Sequence, residues 1–316
     1  MSHGSFVVLD ARAVLAVAGP DRRPFLQGLV SNDVNKVSPE RACYAALLTP
    51  QGKYLHDFMM VEHAEAIWLD GEAERLADLK RRLSIYRLRA KVTLEERPEL
   101  AVAAAFGPGS LAALDLPHEP GGARAFAGGV AFADPRLAAL GARCIVPRET
   151  AAKALADAGL GETDFAEYDR LRLGLGVPDG SRDLVLDRSI LLESGFDELN
   201  GVDWQKGCYI GQELTARTKY RGLVKKRLFP VRIEGSTPAP GTQVMCDGRD
   251  AGELRSSRGG LGLALLRLDA VDSGAPLHTA DAALTPLKPD WMRLGDDNPS
   301  PASREREGPA PSGAGG

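Results

Sequence analysis

Cysteine is scarce in this 316-residue chain, which has four cysteines and no two close enough to form a C-x-x-C pair. They are Cys43, Cys144, Cys208 and Cys246. This spacing argues against a zinc knuckle and against a cluster held by four cysteines of the chain itself. The five histidines show no ligand spacing either, so we predict no resident metal site. Scattered single thiols are typical of a reducing compartment.

Long apolar runs and an excess of positive charge are also missing. No stretch is long and apolar enough to span a bilayer, and the first ten residues lack the features of a signal peptide. The formal net charge is −4, which makes direct nucleic-acid binding by the chain as a whole unexpected. The phosphate-binding glycine loops and the G-x-S-x-G elbow are absent too. We therefore predict a cytoplasmic, monomeric protein without a membrane span.

What the chain does contain is ordinary globular material, with 44% hydrophobic and 26% charged residues. Apolar runs at residues 6–9 and 13–17 predict a hairpin, and those at 54–61 and 66–69 predict paired strands. Short strands punctuated by glycine and proline after residue 225 predict a small all-β module. The irregular order of strands and helices predicts an α+β fold. Residues 295–316 are rich in Pro, Gly, Ser and charge, which predicts a disordered tail.

The most informative stretch is Lys-Gly-Cys-Tyr-Ile-Gly-Gln-Glu at residues 206–213. Gly207 and Gly211 permit backbone conformations that a side chain disfavours, and they allow close approach of another group. Cys208 lies between them, behind a lysine that favours the reactive thiolate form. A functional thiol and an inert, buried cysteine are both compatible with this local pattern.

Several separate stretches resemble the YgfZ family of folate-binding iron–sulfur cluster assembly factors, which is related to the aminomethyltransferase of the glycine cleavage system. They are residues 25–34, 48–57, 86–92, 170–174, 177–180 and 206–213. The resemblance implies an aminomethyltransferase-like folate-binding fold, with two α+β domains and a C-terminal β-barrel around a central funnel. It implies a discontinuous first domain (1–53 with 162–224), a second domain (54–161) and a barrel (225–294).

The resemblance further implies an accessory factor that binds tetrahydrofolate and supports assembly or repair of clusters in a subset of iron–sulfur enzymes. Radical-SAM enzymes that modify tRNA are an implied client class. Cys208 would be the working thiol, in transient contact with iron, a cluster or a sulfur-bearing partner. Because one thiol cannot hold a cluster alone, partner ligands or small thiols are required.

The residues expected to bind folate lie in and around the motif: Lys206, Gly207, Tyr209, Gly211, Gln212, Glu213, Arg217, Arg221, Glu193 and Trp204. Arg217 and Arg221 are suited to the glutamate tail of folate. Trp204 is interpreted either as a stacking wall or as a core side chain.

The other members have open alternatives as well. Glu193 either lines the site or is a charge at a helix start. Gln212 and Glu213 bond either a pterin or the amides of their own loop.

Asp57 carries the rival hypothesis of a folate-dependent one-carbon (aminomethyl) transferase, so enzymatic activity stays undecided. The transferases have paired aspartates here, but His56 replaces the first, and no pterin-clasping glutamate is recognisable near residues 143–146. Asp57 is either a general acid/base or a surface carboxylate on a strand. A third hypothesis is a scaffold that docks clients through the basic segment 225–227.

Overall fold

The computed structural model describes residues 4–294 of the chain, and the predicted tail at 295–316 lies outside these residues. The strands are β1 (Ser5–Val8), β2 (Arg12–Ala18), β3 (Cys43–Leu48), β4 (Tyr54–His63), β5 (Ala66–Glu72), β6 (Thr93–Glu96), β7 (Leu100–Phe106), β8 (Ala123–Phe126), β9 (Gly129–Ala133), β10 (Ala142–Pro147), β11 (Gly161–Glu162), β12 (Lys226–Gly235), β13 (Gln243–Cys246), β14 (Arg249–Arg258), β15 (Leu261–Arg267), β16 (Leu277–His278) and β17 (Ala282–Pro286). The helices are α1 (Arg22–Gln27), α2 (Leu76–Arg87), α3 (Ser110–Ala113), α4 (Ala151–Asp157), α5 (Phe165–Gly174), α6 (Gln212–Tyr220) and α7 (Leu268–Asp272).

The strands form two open sheets and one closed barrel. The five-stranded sheet has the order β3-β4-β5-β2-β6, and the six-stranded sheet has the order β11-β1-β7-β10-β9-β8. The remaining six strands close the barrel in the order β12-β15-β14-β13-β16-β17. This arrangement confirms the predicted α+β content and the predicted C-terminal barrel.

The predicted hairpin of the first two strands is wrong. β1 pairs with β7 in the six-stranded sheet, whereas β2 pairs with β5 and β6 in the other sheet. The chain therefore passes from one sheet to the next over residues 9–11. Both segments have strand periodicity, but periodicity carries no information about which partner a strand takes. The predicted pairing of β4 with β5 is confirmed.

The two sheets pack face to face, with helices on their outer sides. Alternate residues of β2 supply both faces of the five-stranded sheet: Val14 lies in the core between the sheets, and Leu15 lies in the core beneath α1 and α2. β7 alternates in the same way, so Val102 faces inward and Ala103 faces the core beneath α3 and α4. Burial on both faces explains why these strands are apolar at nearly every position.

Buried polar contacts join neighbouring strands and attach α5 to the barrel. Arg12 of β2 donates from Nε to Asp70 Oδ1 at 2.7 Å. Arg172 of α5 donates to Asp183 at 2.6 Å and to Ser256 Oγ of the barrel at 3.1 Å.

Asp164 caps α5 by accepting from a backbone N–H, as its spacing to the helix predicts.

The sheets do not follow the boundary expected between residues 53 and 54. β3 and β4 are hydrogen-bonded neighbours joined by a tight turn at Thr49 and Gly52. The five-stranded sheet therefore contains segments from both sides of that boundary. The expected barrel span of 225–294 includes all six barrel strands.

Candidate functional site

Residues 206–211 form a loop that leads into α6, and two glycines determine its backbone conformation. Gly207 has φ +89° and Gly211 has φ +83°, both in the left-handed region that disfavours a side chain. Gly211 also lies against the turn between β3 and β4, because an added Cβ would come within 2.6 Å of the Thr49 carbonyl oxygen. The backbone N–H of Ile210 donates to the Gly28 carbonyl at 3.3 Å. The loop is thus fixed to α1 on one side and to the turn on the other.

Lys206 has a structural role that the sequence did not reveal. Its ammonium group donates to the carbonyl oxygens of Val30 and Asn32 at 2.5 and 2.7 Å. The same group lies 5.2 Å from the ring centroid of Tyr209. Burial lowers the pKa of Lys206 to about 8. Because the ammonium group is bound by these intramolecular contacts, Lys206 stabilises the loop and is not free to bind a ligand.

Tyr209 belongs to the core between the sheets and is only 7% exposed. Burial raises the pKa of its hydroxyl to about 12. Its ring anchors the loop from below, while Ile210 packs against the core beneath α1 and α2. Neither side chain is presented to a ligand at the surface.

Cys208 is the exposed member of the four cysteines, all of which lie in the described part of the chain. Cys43, Cys144 and Cys246 are buried. Burial raises the pKa of the Cys43 thiol to about 11 and that of Cys144 to about 12. Because the thiolate is the nucleophile and the metal ligand, these buried groups are poorly suited to either role. The anchored loop therefore holds one accessible thiol at the protein surface.

The polar residues that follow the thiol lie on α6. Glu213 and Arg217 are exposed and pair with each other at 3.2 Å across one helical turn. Arg221 caps the helix C-terminus and is also exposed. Gln212 is half-buried at the first helical position. This arrangement is a solvated helix surface with no enclosed anion pocket formed by Arg217 and Arg221.

Trp204 and Glu193 line different cavities. Trp204 donates from Nε1 to Asp197 at 2.7 Å, is covered by the Lys219 ammonium at 4.2 Å, and borders a cavity of about 510 Å³. Glu193 borders another cavity of about 500 Å³, between the barrel and residues 185–193, together with Lys53. Burial raises the pKa of the Glu193 carboxyl group.

Asp57 is neither a surface carboxylate nor an accessible base. It is 3% exposed on β4, and it accepts hydrogen bonds from the hydroxyls of Tyr44 at 2.9 Å and Tyr54 at 2.7 Å. Burial raises its pKa. Its neighbour His56 is also buried and contacts Asp78 at 2.9 Å. The expectation that Asp57 is a surface carboxylate is therefore wrong, because the strand is covered on both faces, and its role as a general acid/base stays a prediction.

The residues expected to hold tetrahydrofolate do not form one site. Tyr209 lies in the core, Trp204 and Glu193 border separate cavities, and Arg217 lies on an exposed helix. Where the transferases are expected to hold the pterin with a glutamate, Arg143 is buried and donates to the Tyr168 hydroxyl at 2.9 Å. The binding of tetrahydrofolate by these side chains therefore stays a prediction.

The segment 225–227 is not a uniform basic docking strand. Arg227 is buried, donates to the Leu192 carbonyl at 2.7 Å, and forms an ion pair with Glu198 at 2.5 Å. Of these three residues, Lys225 is exposed, Lys226 is half-buried and Arg227 is buried. Because Arg227 is buried and paired, the segment presents less positive charge to a client than the scaffold hypothesis requires.

No sequence pattern indicated the buried charges between the sheets. Arg143 lies 3.7 Å from Asp70 and 3.7 Å from Asp134, which in turn pairs with Arg136 at 2.8 Å. These residues come from three segments, at residue 70, at residues 134–136 and at residue 143, so no single spacing pattern connects them. Within residues 4–294, no group of three or more His, Cys, Asp or Glu side chains is placed to hold a metal ion. In the same range, no helix has the length and apolar character that a membrane span requires.

Comparison with known proteins agrees with this architecture. Residues 225–294 match the family described as CAF17, C-terminal beta-barrel domain. The structure resembles a glycine cleavage system aminomethyltransferase T from Bartonella henselae, with a TM-score of 0.75 over 92% of this chain and 87% of the other. The identity is 17%, so this likeness concerns the fold alone, and it confirms the predicted aminomethyltransferase-like fold.

Sequence relatives are closer. The chain is 38% identical to the human protein named iron-sulfur cluster assembly factor IBA57, mitochondrial, over 90% of this chain and 84% of the relative. Its mouse counterpart is 37% identical with the same coverage. A Neurospora crassa homologue is 32% identical over 73% of this chain and 54% of the relative.

The names of these relatives bear on two predictions, the location of the protein and its family. All three relatives are named as mitochondrial, which contradicts the predicted cytoplasmic location. The relatives share the name IBA57 and not YgfZ. The predicted likeness to iron–sulfur cluster assembly factors is therefore confirmed, but the likeness to YgfZ itself is not shown.

Proposed function

Because this chain belongs to the family of the iron–sulfur cluster assembly factor IBA57, we propose that it acts in iron–sulfur cluster assembly with Cys208 as its working thiol. The family membership rests on identity above 30% across most of both chains. The names of the relatives also point to a mitochondrial location.

The observation that carries the proposal is the exposure of Cys208 on a loop that is otherwise firmly anchored. Tyr209 and Lys206 fix the loop from within, and Gly211 fits against the turn between β3 and β4. A cysteine whose only task was packing would be buried, as the other three are. Here the chain holds the loop rigidly and leaves the sulfur accessible.

The chemistry follows from the number of thiols. An iron–sulfur cluster is commonly held by four cysteine thiolates, and this surface offers one. Cys208 therefore supplies a single ligand to a cluster that is cargo, while a partner protein or small thiols supply the others. Ligation requires the thiolate, so the proton leaves the sulfur when the iron–sulfur bond forms.

The proposal assigns no chemical role to tetrahydrofolate, because the residues expected to bind it lie in the core, beside two cavities and on an exposed helix. The clients are iron–sulfur enzymes on this proposal. The narrower expectation of radical-SAM enzymes that modify tRNA stays a prediction, as does a monomeric state.

The test is complementation of cells that lack the chain, with Cys208→Ser compared with the matched variant Cys246→Ser. The readout is the activity and cluster content of iron–sulfur enzymes, measured beside the abundance of the variant protein. We expect Cys208→Ser to lose support at normal abundance and Cys246→Ser to keep it. Full support by Cys208→Ser would overturn the proposal.

The burial of Asp57 argues against the rival one-carbon transferase. Asp57, its candidate acid/base, is sealed beneath two tyrosine hydroxyls and is almost unexposed. A general base must reach the proton that it removes, directly or through one water.

A further inference from the structure

The C-terminal end of α2 carries a surface that nothing in the cluster-binding loop explains. We define the α2 patch as the exposed side chains of Ile85, Tyr86, Arg87, Leu88, Arg89 and Lys91. Ile85 is 59% exposed, Tyr86 41% and Leu88 89%. Single exposed apolar residues are normal, but three large ones within four positions mark a candidate interaction surface.

Leu88 is unusual in its backbone as well as in its exposure. It has φ +41° and ψ −106° immediately after the last residue of α2. A bulky residue at positive φ is strained, and an apolar side chain in water gains nothing that offsets the strain. A neighbour that buried Leu88 would supply the missing stabilisation.

The charges of the patch indicate what such a neighbour looks like. Within residues 4–294, the side-chain cations of Arg87, Arg89 and Lys91 form no ion pair within 4 Å. The arginines nearer the middle of α2 differ, since Arg81 and Arg82 both pair with Asp78. In a chain whose net charge is −4, this is a local excess of unpaired positive charge around an apolar centre. Acidic side chains around an apolar contact would complement it.

The patch is linked through α1 to the loop that carries Cys208. At one end of α1, the backbone N–H of Lys91 donates to Asp21 Oδ2 at 2.7 Å. At the other end, the backbone N–H of Ile210 donates to the Gly28 carbonyl. α1 has six residues and is therefore roughly 9 Å long. A partner surface of about 800 Å² is wide enough to reach both features.

We propose that the α2 patch is the docking surface for the protein that exchanges an iron–sulfur cluster at Cys208, and that this partner presents an acidic surface with an apolar centre. The inference rests on the proposed function, since it assigns that function's partner a second point of contact. Leu88 and Tyr86 insert into the partner, while Arg87 and Arg89 pair with its carboxylates.

Site-specific photo-crosslinking in cells identifies the partner. A photoreactive residue is placed at position 86 in the patch, at position 220 on α6 beside the motif, or at position 186 as an exposed control. We expect positions 86 and 220 to capture the same cluster-binding protein and position 186 not to capture it. Capture of that protein at 220 but not at 86 would overturn the inference.

The captured protein is then purified, and its dissociation constant is measured between about 50 and 300 mM salt. We expect Arg87→Glu/Arg89→Glu and Leu88→Glu each to weaken binding about tenfold or more. The double variant should also lose the salt dependence. The matched controls Leu186→Glu and Arg232→Glu should bind like the parent chain. Unchanged binding by correctly folded patch variants would overturn the inference.

The same variants test whether a membrane or a second copy of this chain binds the α2 patch instead. Flotation with vesicles of phosphatidylglycerol and phosphatidylcholine tests a membrane, and light scattering on a sizing column tests a second copy of this chain. Vesicle binding or dimerisation that disappears in the patch variants, with partner binding unchanged, would replace the proposed partner.

Failure of the docking inference is separable from failure of the proposed function. Cys208→Ser should bind the partner within about twofold of the parent, because the thiol ligates cargo and adds little contact area. Patch variants should keep the thiol reactivity of Cys208 while they lose the partner. Full enzyme support by Cys208→Ser together with weak binding by the patch variants would refute the thiol's role and leave the docking surface intact.

Discussion

Gly52 and Gly211 pack directly against each other. Gly52 lies in the turn between β3 and β4, and Gly211 lies at the end of the loop that carries Cys208. A Cβ atom on Gly211 would lie 3.0 Å from the Gly52 Cα, and a Cβ atom on Gly52 would lie 3.0 Å from the Gly211 carbonyl oxygen. Both residues also have positive φ. This contact fixes the thiol-bearing loop to the turn between β3 and β4, so the position of Cys208 depends on the five-stranded sheet.

We expect Gly211→Ala to lower the free energy of unfolding by about 2–4 kcal/mol, from the strain of positive φ plus overlap with the Thr49 carbonyl. The matched control is Gly207→Ala, where φ is +89° but an added Cβ meets nothing within 4 Å. That change should cost only about 1 kcal/mol. Urea denaturation measures both values, and equal losses would contradict the packing argument.

Thiol labelling of the folded protein should detect one rapidly reacting cysteine among four. Cys208 is exposed, whereas burial raises the pKa of the Cys43 and Cys144 thiols to about 11 and about 12. Absorbance after addition of an aromatic disulfide reagent follows the reaction. Cys208→Ser should abolish the rapid phase, and denaturant should restore labelling of the remaining three. A rapid phase that survives in Cys208→Ser would show that the buried thiols are accessible.

Asp57→Asn should leave support of iron–sulfur enzymes unchanged. The buried carboxylate accepts hydrogen bonds from Tyr44 and Tyr54, and an amide oxygen retains one acceptor for them. Tyr54→Phe, which leaves a carboxylate oxygen without that donor, should cost about 1–3 kcal/mol of stability. Loss of enzyme support in an Asp57→Asn protein of parental stability and normal Cys208 labelling would restore Asp57 as a chemical residue.

His56 should make the protein less stable in mild acid. Burial lowers its pKa from 6.5 to about 4, so the unfolded chain binds the proton more readily than the folded protein does. Stability therefore falls as the pH drops from about 6.5 to about 4, and this group adds no further slope below that range. Urea denaturation of His56→Gln should show a flatter dependence, by on the order of 2 kcal/mol across the window. Parallel curves for parent and variant would refute the assignment.

The sequence determined features whose causes are local. The glycines at 207 and 211 predicted an unusual backbone around Cys208, and both have positive φ. The apolar runs after residue 225 predicted the barrel strands. Periodicity, turn residues and caps act within a few residues of each other, so they are readable without knowledge of the fold.

Tertiary structure alone decided which elements meet and which side chains reach solvent. It separated β1 from β2, buried Asp57, turned Lys206 into a brace and left Cys208 exposed. Each outcome depends on segments far apart in the chain that cover, or fail to cover, the same surface. Strand pairing and burial are set by the packing of whole sheets and helices, and no local pattern of residues encodes them.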